Sequence, residues 1–464
     1  MKKVTLLAAS VLAGLMSAQA MAAPVDVSGY MRSGVMHGKS TYGHKAYVQQ
    51  LGRFGNENDT FMDMLFSSDI AKVDDTVWSI GALFAVGGDG KENNWEGNIA
   101  NRQLYAQVKG LLDKDAILWA GKKYVQREDS YIGDFYFYDV SGHGVGFEQL
   151  NVGTGKLSAA WTRKDNGNAT YKTFKDKYVI KQKADEKDDK GNALPGNVKD
   201  IVKGQFAEKK EVKVRLNVFD TRYVFPAWDG ASVELGATYL RPERDKNGEF
   251  SSYTWTKDNE LKDAFNLTAE LTLNVLGGFN KTVLQSFSGS SADCAWSTTA
   301  DIKSNSGFGG VAGFTGQGYR LLNIGLSQFT ENFGMFHQFN AAYSTSNDYD
   351  SKRTLGLVVR PYYKLTKMTK VIAELGAFVE HEKYLKHDAG KADHRTHAGQ
   401  KATLAYAINP DAGNFWSRPE FRFYVSYMNL TADTNVFNEK GEDTIGGAKK
   451  GHDTVFGAQV EAMW

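Results

Sequence analysis

Several things are missing from this 464-residue sequence, and each absence excludes something. A single cysteine, Cys294, rules out an intramolecular disulfide framework and any zinc site built on thiolates. Proline is sparse, 7 residues, or about 1.5% against a typical ~5%. Neither sign of charge dominates: 55 Lys and Arg stand against 54 Asp and Glu, a net +1. That balance argues against nucleic acid as a partner, which selects a basic excess. Beyond the N-terminus no stretch approaches 18 consecutive apolar residues, so no transmembrane helix is expected. Catalytic signatures are lacking too. The 9 histidines are scattered, with no pair-plus-carboxylate spacing for zinc, and no G-x-S-x-G elbow occurs. Asp74-Asp75 and Asp188-Asp189 are sequence neighbours that a strand would point to opposite faces, so they read as solvated turns. No enzyme, metal or cofactor is expected.

What is abundant points to β structure. Glycine numbers 48, about 10% against a typical ~7%, and aromatics make up 12%. A hydrophobic fraction of 42% excludes global disorder. The first residues read as an export address. Lys2 and Lys3 precede an apolar stretch, Val4 to Met16, and Ala20-Met21-Ala22 satisfies the small-x-small cleavage rule. A signal peptide over 1–22 and a mature chain of one domain over 23–464 are therefore expected.

A chain without apolar helices can still cross a bilayer as a closed barrel, whose strands satisfy one another's backbone groups. Such strands alternate an apolar face with a polar one. Val212, Val214, Leu216 and Val218 interleave with Lys213, Arg215 and Asn217, and Val233 to Tyr239 repeat the pattern. So do Val371 to Val379, and Phe421, Phe423, Val425 and Tyr427 around Arg422, Tyr424 and Ser426. Glu, Arg and Lys recur on the polar faces, which a sandwich core would tolerate poorly. The chain also ends inside a strand, with Phe456, Ala458, Val460, Ala462 and Trp464 on one face. A barrel needs its last strand to pair with its first, so the expected fold is all-β, a transmembrane antiparallel barrel. The polar stretch 163–211, dense in Lys, Asp and Glu, reads as one long extracellular loop, with shorter loops at 87–98, 287–318, 381–401 and 438–452. The cluster Gly307 to Gly313 lacks the strand-to-helix setting of a phosphate cradle and reads as loop.

The informative side chains are aromatic or ionic. Tyr30 and Arg32 share one strand face, and Phe61 and Asp63 repeat the pairing. The segment from Trp119 runs through Arg127, Asp129 and Asp134 to Tyr136. Pyranose rings lay their apolar faces on aromatics while their hydroxyls bond carboxylates and guanidinium groups. Aromatic girdles occur in every membrane barrel, but Tyr30 and Phe61 share the parity of charged residues rather than of the lipid face.

These segments resemble the maltoporins, sugar-specific outer-membrane porins. The resemblance runs from the signal peptide to Trp464, through GYMRSG at Gly29, GRFGNENDTFMDM at Gly52, NNWEG at Asn93 and WAGKKYVQREDSYIGDFYFYDVSG at Trp119. GGFNK at Gly277, VVRPYYK at Val358, FWSRP at Phe415 and FGAQVEAMW at Phe456 complete it. It implies a homotrimer of 18-stranded barrels in outer-membrane lipid, with a third loop folded inward. It implies an aromatic slide over Tyr30, Phe61, Trp95, Phe279, Trp416 and Met463, Trp95 reaching toward a neighbouring subunit. It implies an ionic track of Arg32, Arg53, Asp63, Arg102, Arg127, Asp129 and Asp134, with Tyr136 narrowing the constriction. The expected function is facilitated diffusion of maltose and maltodextrins, binding weakly at many sites so that the sugar can leave.

Departures from the family pattern bear on substrate. The first-loop cysteines are missing, Glu128 and Tyr131 stand where histidine is frequent, Phe61 replaces a tyrosine and Met463 a tryptophan. Another oligosaccharide or a β-glucoside is therefore an open alternative, since lost hydrogen-bonding groups shift discrimination strongly. A general-diffusion porin, a secreted β-sandwich lectin, and a glycosidase using Asp129 and Asp134 are the remaining rivals.

Overall fold

The computed structural model describes residues 24–38, 47–57, 59–88, 99–182, 199–242, 263–295, 316–346, 349–384, 394–432, 444–445, 448–449 and 451–464. Among them, 18 strands form one sheet. In chain order they are β1 (Asp26–Gly38), β2 (Thr60–Val73), β3 (Thr76–Gly88), β4 (Ala100–Lys109), β5 (Ile117–Lys123) and β6 (Gly142–Val152). Next come β7 (Gly155–Gln182), β8 (Lys199–Trp228), β9 (Ala231–Pro242), β10 (Ala264–Val275), β11 (Gly278–Gly289) and β12 (Gly316–Gln328). The last are β13 (Phe333–Ser346), β14 (Tyr349–Lys364), β15 (Thr369–Tyr384), β16 (His394–Ile408), β17 (Glu420–Ala432) and β18 (Gly451–Met463). No helix among the described residues is long and apolar enough to cross a membrane.

Each strand pairs antiparallel with its sequence neighbours, and β1 closes the sheet. It pairs with β2 through Tyr30↔Asp63 and with β18 through Tyr30↔Met463 and Val35↔Ala458. Gly29 and Trp464 exchange both backbone hydrogen bonds, at 2.9 and 3.1 Å, so the final residue completes the seam. Closure leaves no unpaired edge, the condition for a sheet to sit in hydrocarbon. Tight turns such as 73–76, 152–155 and 228–231 lie at the end that holds both chain termini, the periplasmic end of an outer-membrane barrel; the long connections lie at the other.

The alternation sorts side chains as the sequence suggests. On β17, Phe423 is 54% exposed and its neighbour Arg422 only 2%. The outward residues meet lipid, where a charge at mid-depth costs about 2–4 kcal/mol. The Leu216 and Val218 run behaves oppositely to expectation. Both are fully buried on the inner face, while Phe219 points outward. They pack with Phe137 and Val140, residues of a segment that has entered the barrel. An apolar stripe is therefore not a lipid stripe wherever a loop covers the inner wall.

Residues 163–211 are also corrected in their local structure. Pairing between β7 and β8 continues from Lys156↔Val224 out to Gln182↔Lys199, so the charged stretch is largely a hairpin prolonging two barrel strands. Likewise β11 reaches Gly289, β12 starts at Gly316, β15 reaches Tyr384 and β16 starts at His394, which shortens the expected loops. The expected signal peptide, Trp95 and the 307–313 glycine cluster lie outside the described residues.

Candidate functional site

Two connections fold into the lumen. The first leaves β5 and returns to β6, spanning residues 124–141, and carries a small ladder of Glu128–Asp129 with Tyr136–Tyr138. Its sharp turns place Gln126, Tyr131 and Asp134 at positive φ. Barrel side chains seize its backbone: Arg320 Nη2 donates to the Phe137 carbonyl at 2.8 Å, Gln285 Nε2 at 3.0 Å, and Lys164 Nζ donates to the Asp139 carbonyl at 2.9 Å. Tyr138 bonds Asp220 and Thr238 of the wall, and Lys281 bridges Glu128 at 3.1 Å and Glu270 at 2.8 Å.

Held this way, the segment aims functional groups at the open lumen. The Arg127 guanidinium lies between two rings, 4.0 Å from Tyr124 and 3.7 Å from Tyr136. Burial raises the Tyr136 hydroxyl above its ordinary pKa, so it stays a neutral donor. Burial, reinforced by Asp134, pushes the Asp129 carboxyl up to about 6, although the Tyr131 amide donates to it at 2.8 Å. Arg32 of β1 faces the segment from across the lumen, 3.5 Å from Asp134, 2.7 Å from Asp59 and 3.3 Å from Glu57. Asp63 lies within electrostatic reach of Arg127 and Arg102, the latter at the bulge where β3 and β4 shift register.

The second inward connection, residues 47–57, carries the short helix α1 (Val48–Leu51). It lacks cysteine, and the structure shows what holds it instead. Lys401 Nζ donates to the carbonyls of Gly52 and Phe54, both at 2.6 Å, and to Glu374 at 2.7 Å. Glu374 in turn accepts the Phe54 amide at 2.9 Å and Arg360 Nε at 2.6 Å. The Phe54 ring sits between the guanidinium groups of Arg360 and Arg422, at 3.8 and 4.5 Å. Gly376 leaves room for the Leu51 backbone; a side chain there would collide with it. Arg53 joins the two connections, its amide donating to the Ile132 carbonyl at 3.0 Å. Its side chain bonds Glu57 at 3.0 Å, Tyr30 at 2.9 Å and Glu461 at 3.3 Å. Burial works against that charge, but Glu57, Tyr30 and Glu461 outweigh it and hold the Arg53 pKa above its ordinary value.

The aromatic residues fall into two groups. Tyr30 and Phe61 pack at 6.1 Å, with Arg32 5.7 Å above the Phe61 ring. Phe279 and Trp416 meet through Phe336, at 5.9 and 6.1 Å, and Phe415 lies 4.9 Å from Trp416. Between the groups runs a charged bridge: Arg418 donates to Glu461 at 2.9 Å, and Tyr30 donates to Glu461 at 2.8 Å. Met463 has inward parity on β18, pairs with Tyr30 across the seam and is 54% exposed.

Sequence reasoning missed Phe336, Phe415, Glu57, Asp59, Arg418, Glu461 and Lys281. Glu461 had a signal, being opposite in parity to the lipid stripe of the last strand. Phe336 had none, because only the fold carries β13 beneath Trp416. Tyr131, noted only as a departure, meets Trp416 in a T-shaped contact with ring centroids 4.9 Å apart.

Comparison with known proteins agrees with this architecture. The family model described as LamB porin matches residues 25–464. Maltoporin 1 of Klebsiella pneumoniae subsp. pneumoniae is 30% identical, over 99% of this chain and 98% of that protein. A maltoporin of Photobacterium profundum is 30% identical over 100% and 99%, and Maltoporin 2 of Yersinia pestis (strain Pestoides F) 29% identical over 95% and 94%. Among solved structures, OccAB1 of Acinetobacter baumannii matches at a TM-score of 0.47 and 8% identity, covering 95% of this chain and 96% of its own. A family match spanning the whole barrel makes this chain a member of the LamB porin family, a porin of the bacterial outer membrane.

Proposed function

We propose that this outer-membrane channel passes maltose and maltodextrins by facilitated diffusion, without catalysis or cofactor. The observation that carries the reading is the juxtaposition at the constriction. Arg127 between Tyr124 and Tyr136, with Asp129 and Asp134 alongside, offers ring faces and charged hydrogen-bonding groups at one level of the lumen. Tyr30 with Phe61 beside Arg32, and Phe279 and Trp416 over Phe336 toward the periplasm, offer apolar rests. Arg53, Arg418 and Glu461 exchange hydroxyl bonds between them. Sugar hydroxyls trade water for these groups stepwise, and no single site binds tightly enough to trap the ligand.

The proposal extends to the rest of the chain. Residues 1–22 are a signal peptide removed on export, 23–464 form one barrel domain, and three copies associate. Trp95 belongs to the slide by family resemblance. Asp129 and Asp134 bind sugar rather than hydrolyse it. Tyr131 against Trp416 favours a second reading, a porin for another oligosaccharide or a β-glucoside, because a ring in T-shaped contact with a tyrosine accepts a narrower range of sugars.

Ionic current through the purified protein in a planar bilayer tests both readings. Saturable block by maltotriose and maltohexaose, weakened in Trp416→Ala and Tyr136→Ala, supports the first. Block by sucrose or a β-glucoside alone selects the second. Conductance with no sugar block sinks both.

A further inference from the structure

The outer wall of the barrel carries a concavity of about 830 Å³ that the channel reading does not use. It lies on the membrane-facing side of β8 to β13, and strand register explains its shape. Ala237 pairs with Leu267, Leu267 with Ser286, Ser286 with Tyr319, and Tyr319 with Tyr343. These residues form one continuous cross-strand row, all outward. The parallel row one step toward the periplasm runs Leu235, Ala269, Leu284, Leu321 and Ala341, with its small residues at Ala269 and Ala341. Small side chains at Ala237, Ala269, Ser286 and Ala341 thus sink a trough between ridges of leucine and tyrosine. At roughly 4.8 Å per strand, such a trough crosses the wall obliquely for about 20 Å or more.

The upper row does not end in apolar residues. Tyr343 pairs with Arg353, whose side chain is exposed on the same outward face near the long-loop end of β14. Arg353 has no ion pair among the described residues. An apolar trough leading to an unpaired cation, at the level of the outer leaflet, matches an amphiphile with long acyl chains and an anionic head. Water and soluble ligands do not reach this surface, which fixes the class of occupant.

We propose that this trough is a specific site for a phosphorylated, multiply acylated glycolipid of the outer leaflet, an acyl chain lying over the small residues Ala237, Ala269, Ser286 and Ala341 between the leucine and tyrosine ridges and a phosphate on Arg353. An ordinary annular lipid would exchange freely; a seated one is retained, because the trough buries chain surface that a flat wall leaves to neighbouring lipids. Arg353 adds a charge-assisted bond where the headgroup region begins.

Native mass spectrometry of the detergent-solubilised full chain, titrated with purified bisphosphorylated lipid A, tests the site. The expected result is saturable binding of one lipid A per chain. Apparent affinity should fall at least tenfold in Ala269→Phe, which fills the trough, in Arg353→Gln, and with dephosphorylated lipid A. Ion conductance should be unchanged in both variants, which establishes that the barrel is intact. Ala341→Leu gives an independent filling of the trough should Ala269→Phe fail to fold. The proposal is overturned if no one-per-chain adduct forms, or if either folded variant binds like the parent. It is overturned equally if filling the trough changes the oligomer mass and not the lipid count, which would make this face a contact between copies.

Discussion

The two inward connections occupy the same lumen, and barrel cations grip both at backbone carbonyls, yet they differ in what is left for a ligand. Residues 47–57 are gripped by buried charge: Lys401 and Glu374 spend their hydrogen-bonding capacity on the backbone of Gly52 and Phe54. Residues 124–141 are gripped mainly at carbonyls of Phe137 and Asp139, with Tyr138 and the Glu128–Lys281 pair as anchors, and Arg127 and Asp129 stay turned to the pathway. The first connection is therefore a filler of one side of the lumen. The second is a rigid bracket that presents Arg127, Asp129 and Tyr136. Of the first connection, Arg53 alone is given to the pathway, where its side chain meets Tyr30 and Glu461.

The largest test of this contrast is Lys401→Met. It leaves Glu374 beside one cation instead of two and takes the ammonium from both carbonyls, Phe54 keeping only the Thr403 hydroxyl at 3.1 Å, and breaking a buried pair of this kind costs about 3–5 kcal/mol. Single-channel conductance should rise and proteolysis within 47–57 appear, with 124–141 still protected. Unchanged conductance would mean that the lysine does not hold the filler. Phe54→Ala should move the same two readouts less, costing roughly 3 kcal/mol as a buried ring is lost from between Arg360 and Arg422.

On the bracket side the effects should be on ligand rather than on stability. Trp416→Ala should weaken sugar block about tenfold, equivalent to about 1.4 kcal/mol, with thermal unfolding unchanged. A fall in stability without loss of block would make the ring structural. Asp129 supplies a pH test. With its pKa up at about 6 through burial and Asp134, this carboxyl is ionised at pH 7.5 and protonated at pH 5, where an ordinary carboxylate is still charged. Cation selectivity, read as reversal potential in a KCl gradient, should fall as pH drops through 6. Asp129→Asn should hold the low-pH value throughout. The smallest effect is expected at Arg102, exposed at its bulge, where Arg102→Ala should change block by less than about twofold.

Legibility followed the same division. Period-two alternation marked Phe421 to Tyr427 and Val371 to Val379 as lipid stripes, and both point outward. It misplaced Leu216 and Val218, because alternation reports that a face is apolar and not what covers it. Composition likewise made 163–211 a loop, yet its residues pair for most of their length. Lys, Asp and Glu signal contact with water, a signal that a paired strand and a loop can share.

Among site residues, Arg32, Arg53, Arg127 and Tyr136 were reachable because their neighbours form motifs contiguous in sequence. Arg418 and Phe336 were not, and Glu461 showed only its inward parity, since its partner Tyr30 is 431 positions away. The sequence alone determined that the strands alternate and that the last must close on the first. Those are local properties of side-chain period and composition. The tertiary structure decided which connections enter the lumen, which charges are consumed in holding them, and which remain for a ligand. That choice depends on where backbone carbonyls and guanidinium groups meet across the barrel, and no periodicity along one strand encodes the distance to the opposite wall.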